Sequence, residues 1–263
     1  MRTLYALLVC AGLAAAQQNV LTPKEKKQGW QLLFDGRTFR NWEDPSKKSP
    51  PGDSFVIEDG CLKATSHPRY NEDLFSSATY QDFELMVDWR VSPRGNSGIK
   101  YRIQDRIWVK EIKGKKFEDQ VAMAYQNRSE ARPEKGQQYV VGFEFQAIDN
   151  EGHADGRRGG SHASGAMYDF LAPIKQMAKP VGEWNQARIV VKGSHVEHWL
   201  NGEKVLDADL KSPEIAERAS ARWQKGSEVY KLLVNQPVKS GRISLQNHND
   251  EAWFRNIKLR RLK

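Results

Sequence analysis

The chain has 263 residues, 39% of them hydrophobic, and its 8 Trp, 8 Tyr and 10 Phe supply apolar bulk for one large β domain or two small domains. The formal charge is +8 with a pI near 9.4, a balance that favours acidic partners in general. Nucleic acid is not the expected partner, because the densest basic run, Arg106–Lys116, is broken by Ile107, Trp108, Val109, Glu111 and Ile112 and carries no nucleic-acid motif.

Residues Met1–Ala16 read as a leader rather than as structure. Arg2 gives the positive start, Leu4–Leu13 the apolar run, and Ala14-Ala15-Ala16 a small-residue cleavage site before Gln17. The expected protein is therefore exported, periplasmic or secreted, with no membrane span, since the run is too short to cross a bilayer. Bulky Val9 before Cys10 argues against acylation there. If Cys10 leaves with the leader, only Cys61 remains and no intramolecular disulfide can form. A polar lead-in follows over 17–28, then one domain over 29–263.

Gly29–Trp42 reads as a short strand, an Asp35-Gly36 turn and aromatic anchors, and Glu43–Asp53 as a loop. Phe55–Ala64 is a hairpin about Asp59-Gly60. In Phe83–Arg90, Phe83, Leu85, Val87 and Trp89 share one face and Glu84, Met86, Asp88 and Arg90 the other. After the Pro93–Gly98 turn, Ile99–Gln104 places Lys100, Arg102 and Gln104 on a polar face. Asp105–Gln138 is an irregular charged excursion, with a possible hairpin at Lys113-Gly114-Lys115. The Gly-rich stretch Asn150–Gly165 lacks phosphate-loop spacing and reads as a flexible loop.

Trp184–Gly193 is a strand. His195–Leu200 and Glu203–Asp207 form a hairpin about Asn201-Gly202, which suits a type I′ turn. Ser212–Gln224 is the helix candidate, with Ser212 as cap and Pro213 at the first helical position. Gly241–His248 and Trp253–Leu262 close the fold. Many short strands with one helix predict an all-β sandwich or jelly roll.

The strand Val140–Asn150 is the exception to simple core patterning. Glu144 and Gln146 share one face of it, and Phe143 and Phe145 share the other. An acid and an amide in an apolar strand are costly unless paired or lining a wet cleft. The strand is therefore either the floor of a binding site or a place where a neighbouring Arg or Lys neutralises Glu144.

Several separated motifs point further. Leu33-Phe34-Asp35-Gly36-Arg37-Thr38 with Trp42, Gly95-Asn96-Ser97-Gly98-Ile99 with Arg102, Glu144-Phe145-Gln146 with Asp149, and Gly182-Glu183-Trp184-Asn185 stand in one order. His198-Trp199-Leu200-Asn201-Gly202, Gly241 with Leu245-Gln246-Asn247-His248, and Phe254-Arg255-Asn256-Ile257 continue it. From about Gly29 to Leu262 the chain resembles the 3-keto-disaccharide hydrolase family. The resemblance implies a concanavalin-like jelly roll of two antiparallel sheets and cleavage of glycosides oxidised to a ketone at C3. The 105–138 excursion looks longer than the family's usual link, which bears on substrate size.

A C3 ketone acidifies the proton on C2, so a base can generate an enolate that expels the C1 substituent. Water then adds to the enone. This route bypasses the carboxylate pair of ordinary glycosidases. On the resemblance, Glu144 is the expected base, Arg102 the cation for the enolate and His248 the acid or base. Gln146, Asp149, Tyr168, Asn96 and Gln246 are the expected sugar contacts. Plainer roles remain open: Arg102 as counter-ion to Glu144, His248 as an exposed strand-end residue, Tyr168 as packing and Asp149 as a turn. A divalent ion on Asp149, His248 and Glu144 would stabilise an enolate, but no ligand spacing supports one. The competing function is a non-catalytic carbohydrate-binding jelly-roll module. A laminarinase-type glycosidase ranks last, because Gln146 breaks the paired-acid strand.

Overall fold

The structure, a computed structural model, describes residues 18–263 apart from Ser46, Lys48, Pro50, Pro51 and Glu130. The leader reading of Met1–Ala16, with Cys10, lies outside them. The strands in chain order are β1 (Gln31–Leu32), β2 (Trp42–Glu43), β3 (Phe55–Glu58), β4 (Cys61–Ala64), β5 (Leu74–Ser76), β6 (Phe83–Val91) and β7 (Asn96–Lys110). They continue with β8 (Gly136–Ile148), β9 (Asn185–Lys192), β10 (His195–Leu200), β11 (Glu203–Asp209), β12 (Ser244–Leu245) and β13 (Ala252–Arg261). Among the described residues four α-helices accompany them: α1 (Pro23–Lys27), α2 (Phe117–Gln126), α3 (Pro213–Arg222) and the single turn α4 (Glu228–Tyr230), which runs on into a π-helical turn over Lys231–Asn235.

One sheet runs β11-β10-β9-β6-β13-β4-β3, with β1 also on β13; the other runs β2-β5-β12-β7-β8. All named pairings are antiparallel. This is the expected jelly-roll sandwich. The sheets meet through the alternating apolar positions. Phe83, Leu85, Val87 and Trp89 on β6, Ile99 and Tyr101 on β7, and Phe143 and Phe145 on β8 are all buried. Both expected hairpins form, with Asp59, Gly60, Asn201 and Gly202 at positive φ as tight reversals require. Near the N-terminus, Asn19 and Asn256 exchange backbone-to-amide hydrogen bonds of 2.7 and 2.8 Å, and Asn19 Nδ2 donates to the Gly60 carbonyl.

Helix α3 starts as expected: the Ser212 side chain accepts from the Ile215 N–H and Pro213 opens the helix. Three expectations need correction. Both ends of the charged 105–138 stretch are strand, because Asp105–Lys110 pairs with Val141–Gly136. The rest holds α2, so the fold has more than one helix. Its signal was Phe117, Val121, Ala124 and Tyr125 at helical spacing, which the surrounding charge obscured. The Gly-rich stretch is also ordered: it folds into two 3₁₀ turns, Gly156–Arg158 and Gly160–His162, tied back by Ser164 Oγ to the Ile148 carbonyl.

His198 bolts the sheets together. Its Nδ1–H donates to the Gly165 carbonyl at 3.0 Å, so Nε2 accepts from the Tyr101 hydroxyl at 2.8 Å. Burial holds this imidazole down to about 4, against the opposing pull of its carbonyl acceptors. An unfolded histidine titrates near ~6.5. Between those values the unfolded chain binds a proton that the folded chain rejects. Stability is therefore complete above about pH 6.5 and falls as pH drops, by roughly 3 kcal/mol at pH ~4. Thermal unfolding checks this: wild-type Tm should fall more steeply from pH 7 to 4 than that of His198→Phe, and parallel curves would refute it.

Candidate active site

The outer face of the five-stranded sheet carries the charged cluster. Register places Lys100 opposite Glu144 and Gly98 opposite Gln146. Both pairs lie on the face that Phe143 and Phe145 do not use. β12 lies on the other side of β7, with Ser244 opposite Lys100. Lys100 Nζ donates to Asp73 Oδ2 at 2.9 Å, and Ser244 Oγ donates to the same oxygen at 2.9 Å. The Gln246 amide lies between the pair, and in the orientation that matches its neighbours its nitrogen donates to Glu144 Oε1 at 3.3 Å and its oxygen accepts from Lys100 Nζ at 3.2 Å.

Gly98 makes this arrangement possible. A Cβ there would sit 1.9 Å from Glu144 Oε1 and 2.5 Å from its carboxyl carbon. The carboxyl thus lies across β7 in the space a side chain would occupy. Burial raises Glu144 to about 7, against the lowering pull of Lys100, while Asp73 raises it further. Lys100 is itself buried, which disfavours its charge, but Asp73 and Glu144 outweigh that and lift it above the ordinary amine range. The site therefore holds a fixed cation beside a carboxyl poised near neutrality.

Two groups flank this centre. The bridge between Phe145 and Met167, with the Tyr168 N–H donating to the Glu144 carbonyl, sets Tyr168 beside Glu144. The Tyr168 hydroxyl donates to Asp155 at 2.8 Å, and burial, first, and then that bond keep it protonated. His162 packs edge-on to the Tyr168 ring and contacts Asp169 at 3.0 Å. On the other flank, exposed His248 is close enough for its charge to lower Glu144, and its ring meets that of His153 at 5.9 Å.

The expected site residues are thus partly assembled. Glu144, Gln146, Gln246 and Tyr168 share one neighbourhood with His248 at its edge. Asn96 stands on the same face of β7, its N–H donating to Asp250. The amide oxygens of Asn96 and Gln146 are buried and receive no protein donor. Arg102 does not join them. The β7–β8 register passes from Tyr101–Phe143 to Asp105–Val141, so residues 102–104 bulge opposite Gly142 alone. Arg102 adopts φ +51° and sends its guanidinium to the Gly193 carbonyl at 2.6 Å and toward Asp82 at 3.5 Å. The cation facing Glu144 is Lys100, two residues earlier. Asp149 also turns away from a sugar-binding role. Its carboxylate accepts N–H bonds from Arg94, Glu151 and Gly152, which hold it below the usual range despite opposing burial.

That saturation removes Asp149 from a metal set with Glu144 and His248. Among the described residues, His153, His248 and Asp250 do bring ligand atoms within 4.8 Å of one another. The Asp155 N–H donates to His153 Nδ1 at 3.0 Å, however, which puts the neutral ring's proton on Nε2. His153 is therefore set to donate from Nε2 rather than to ligate an ion, while Asp250 already accepts from the Asn96 N–H. A second set, His195, Glu197 and Asp207, has Lys204 on both acids. Asp73 was not expected here, and nothing in its local sequence marks it. Lys100 was legible as a polar-face residue, but its partner depended on the register. Gly98→Ala tests the packing: the carboxyl should swing toward water, and its midpoint in an NMR titration should fall from about 7 toward ~4.5, while Tm changes little. An unmoved midpoint would show that Glu144 does not depend on that space.

Comparison with known proteins agrees with this architecture. The model of the 3-keto-alpha-glucoside-1,2-lyase-like domain matches residues 29–260. A 3-keto-disaccharide hydrolase from Bacteroides thetaiotaomicron is 30% identical over 261 residues, spanning 94% of this chain and 83% of the relative. A crystal structure of a candidate glycosyl hydrolase from Parabacteroides distasonis is 25% identical, with TM-score 0.68, and covers 94% of this chain and 100% of its own. A second from the same organism, at 23% identity and TM-score 0.60, covers 89% and 99% and has the same fold. The matched segment runs from before β1 into β13, and the chain belongs to the 3-keto-alpha-glucoside-1,2-lyase-like domain family.

Proposed function

We propose that the protein cleaves 3-keto-glycosides by elimination followed by hydration, with Glu144 as the base. The observation that carries this reading is a single carboxyl lifted to about 7 beside a fixed ammonium. A base of that strength can hold the C2 proton at neutral pH and release it afterwards. In the elimination, Glu144 takes the proton from C2 and the electron pair forms the C2–C3 enolate, its charge on the C3 oxygen. Collapse of the enolate re-forms the ketone, makes a C1–C2 double bond and expels the C1 oxygen, which takes up a proton. Addition of water across C1–C2 completes a net hydrolysis.

Lys100 supplies the positive potential in which the carboxylate and then the enolate form. Gln246 holds both partners in place. His248, exposed at the rim, is the candidate to protonate the departing oxygen. The family membership and the named activity of the Bacteroides relative support the substrate class. An ordinary two-carboxylate glycosidase fits less well. Asp73, another carboxylate whose charge Glu144 feels, is buried and bound by Lys100 and Ser244. The leader pattern of Met1–Ala16 supports action on glycans outside the cytoplasm.

The decisive experiment offers purified protein a glucoside and its 3-keto derivative and measures aglycone release. Turnover of the keto form alone is expected; cleavage of the unoxidised sugar, or binding without turnover of either, would overturn the reading. Glu144→Gln should lower kcat by about 10²–10⁴-fold without unfolding the protein. Because only the ionised carboxyl accepts a proton, kcat/KM should rise with pH through about 7. A profile flat from pH 5 to 9 would remove Glu144 from the base role.

A further inference from the structure

Tyr168, which borders the strand of Glu144, lines a cleft of about 1130 Å³ between α2 and α3. We propose that this cleft is the leaving-group subsite, built for a neutral oligosaccharide of three or more sugars rather than for a small aglycone. The inference rests on the elimination reading of the Glu144 site.

Contiguity is the first argument. Tyr168 and Arg222 both line the cleft, Tyr168 borders Glu144 through the strand-edge hydrogen bond, and the charge of Arg222 is felt at Glu144. Arg222 also joins the walls. Its Nε donates to Glu118 on α2 at 3.2 Å, its Nη1 pairs with Asp169, and its guanidinium lies over Trp223 at 5.0 Å. Tyr168 and Arg222 thus link the neighbourhood of Glu144 to the cleft.

Size and charge identify the occupant. The volume exceeds the ~300–1,000 Å³ typical of small-molecule pockets. The lining carries five basic side chains (Lys116, Arg158, Arg218, Arg222, Lys231) and four acidic ones (Glu118, Asp119, Asp169, Glu228). Such near-balance suits a hydroxyl-rich neutral ligand better than a phosphorylated or hydrophobic one. The wall nearest α2 comes from the segment between β7 and β8 and is braced by edge contact of Phe117 with Tyr139, which in turn packs on Trp223. That segment has a defined job here: it forms one side of the subsite.

Ala122 on α2 and Ala221, in α3, line the cleft and are exposed, so a bulky residue at either position can fill it without entering the core. The test compares wild type with Ala221→Trp, and separately with Ala122→Trp, in two assays. In the first, kcat/KM is measured for a 3-keto-glucoside with a small aromatic aglycone and for a tetrasaccharide oxidised at C3 of its terminal sugar. Each variant should lose at least tenfold on the long substrate and less than twofold on the short one. Equal losses on both, or no loss on either, would overturn the subsite. In the second, unoxidised cellotriose, maltotriose and laminaritriose are titrated calorimetrically. At least one should bind wild type and weaken at least tenfold in the variants; binding of none, or binding unaffected by the substitutions, overturns the proposal. Failure to turn over either keto substrate would count against the elimination reading, and the binding assay would still decide the subsite.

Discussion

A lysine buried on the outer face of a β-sheet constrains everything around it. The Lys100 ammonium can keep its charge there only with acids at hand, and Asp73 and Glu144 meet that need. They come from three strand regions far apart in the chain, brought together because β5, β12, β7 and β8 are consecutive in one sheet. The two acids are not equivalent. Asp73 is bound by Lys100 and Ser244 together, whereas Glu144 faces the lysine with an amide between and remains free to exchange a proton. The chemistry depends on that asymmetry.

The opposite face of the same strands has the reverse character. Ile99, Tyr101, Phe143 and Phe145 are buried against the eight-stranded sheet, where neutral His198 links Tyr101 to the Gly165 carbonyl. One face of β7 and β8 thus excludes charge while the other concentrates it. Alternation along the strand separates the two over the thickness of a single backbone.

The alternation was legible in the sequence, and so were the hairpins, the cap of α3 and the isolation of Glu144 and Gln146 among apolar residues. Strand partners were not. Reading Arg102 as the cation assumed that the polar face of β7 continued past Tyr101. The bulge at 102–104 rotates it away, and no local pattern announces a bulge. Asp149 looked available because a carboxylate after a strand can point anywhere; only the folded turn shows three backbone donors converging on it. Asp73 could not be found from sequence, since its role exists only through a lysine 27 residues away. The resemblance identified the family, while the register selected Lys100.

The reciprocal Asn19–Asn256 clasp has a practical side. It fixes the start of the described chain to β13 and to the β3–β4 turn, on the sheet that does not carry Glu144. A support attached through that end would hold the protein by its eight-stranded sheet. The charged face would then point toward the bulk liquid, an orientation suited to an immobilised catalyst or a surface-coupled sensor.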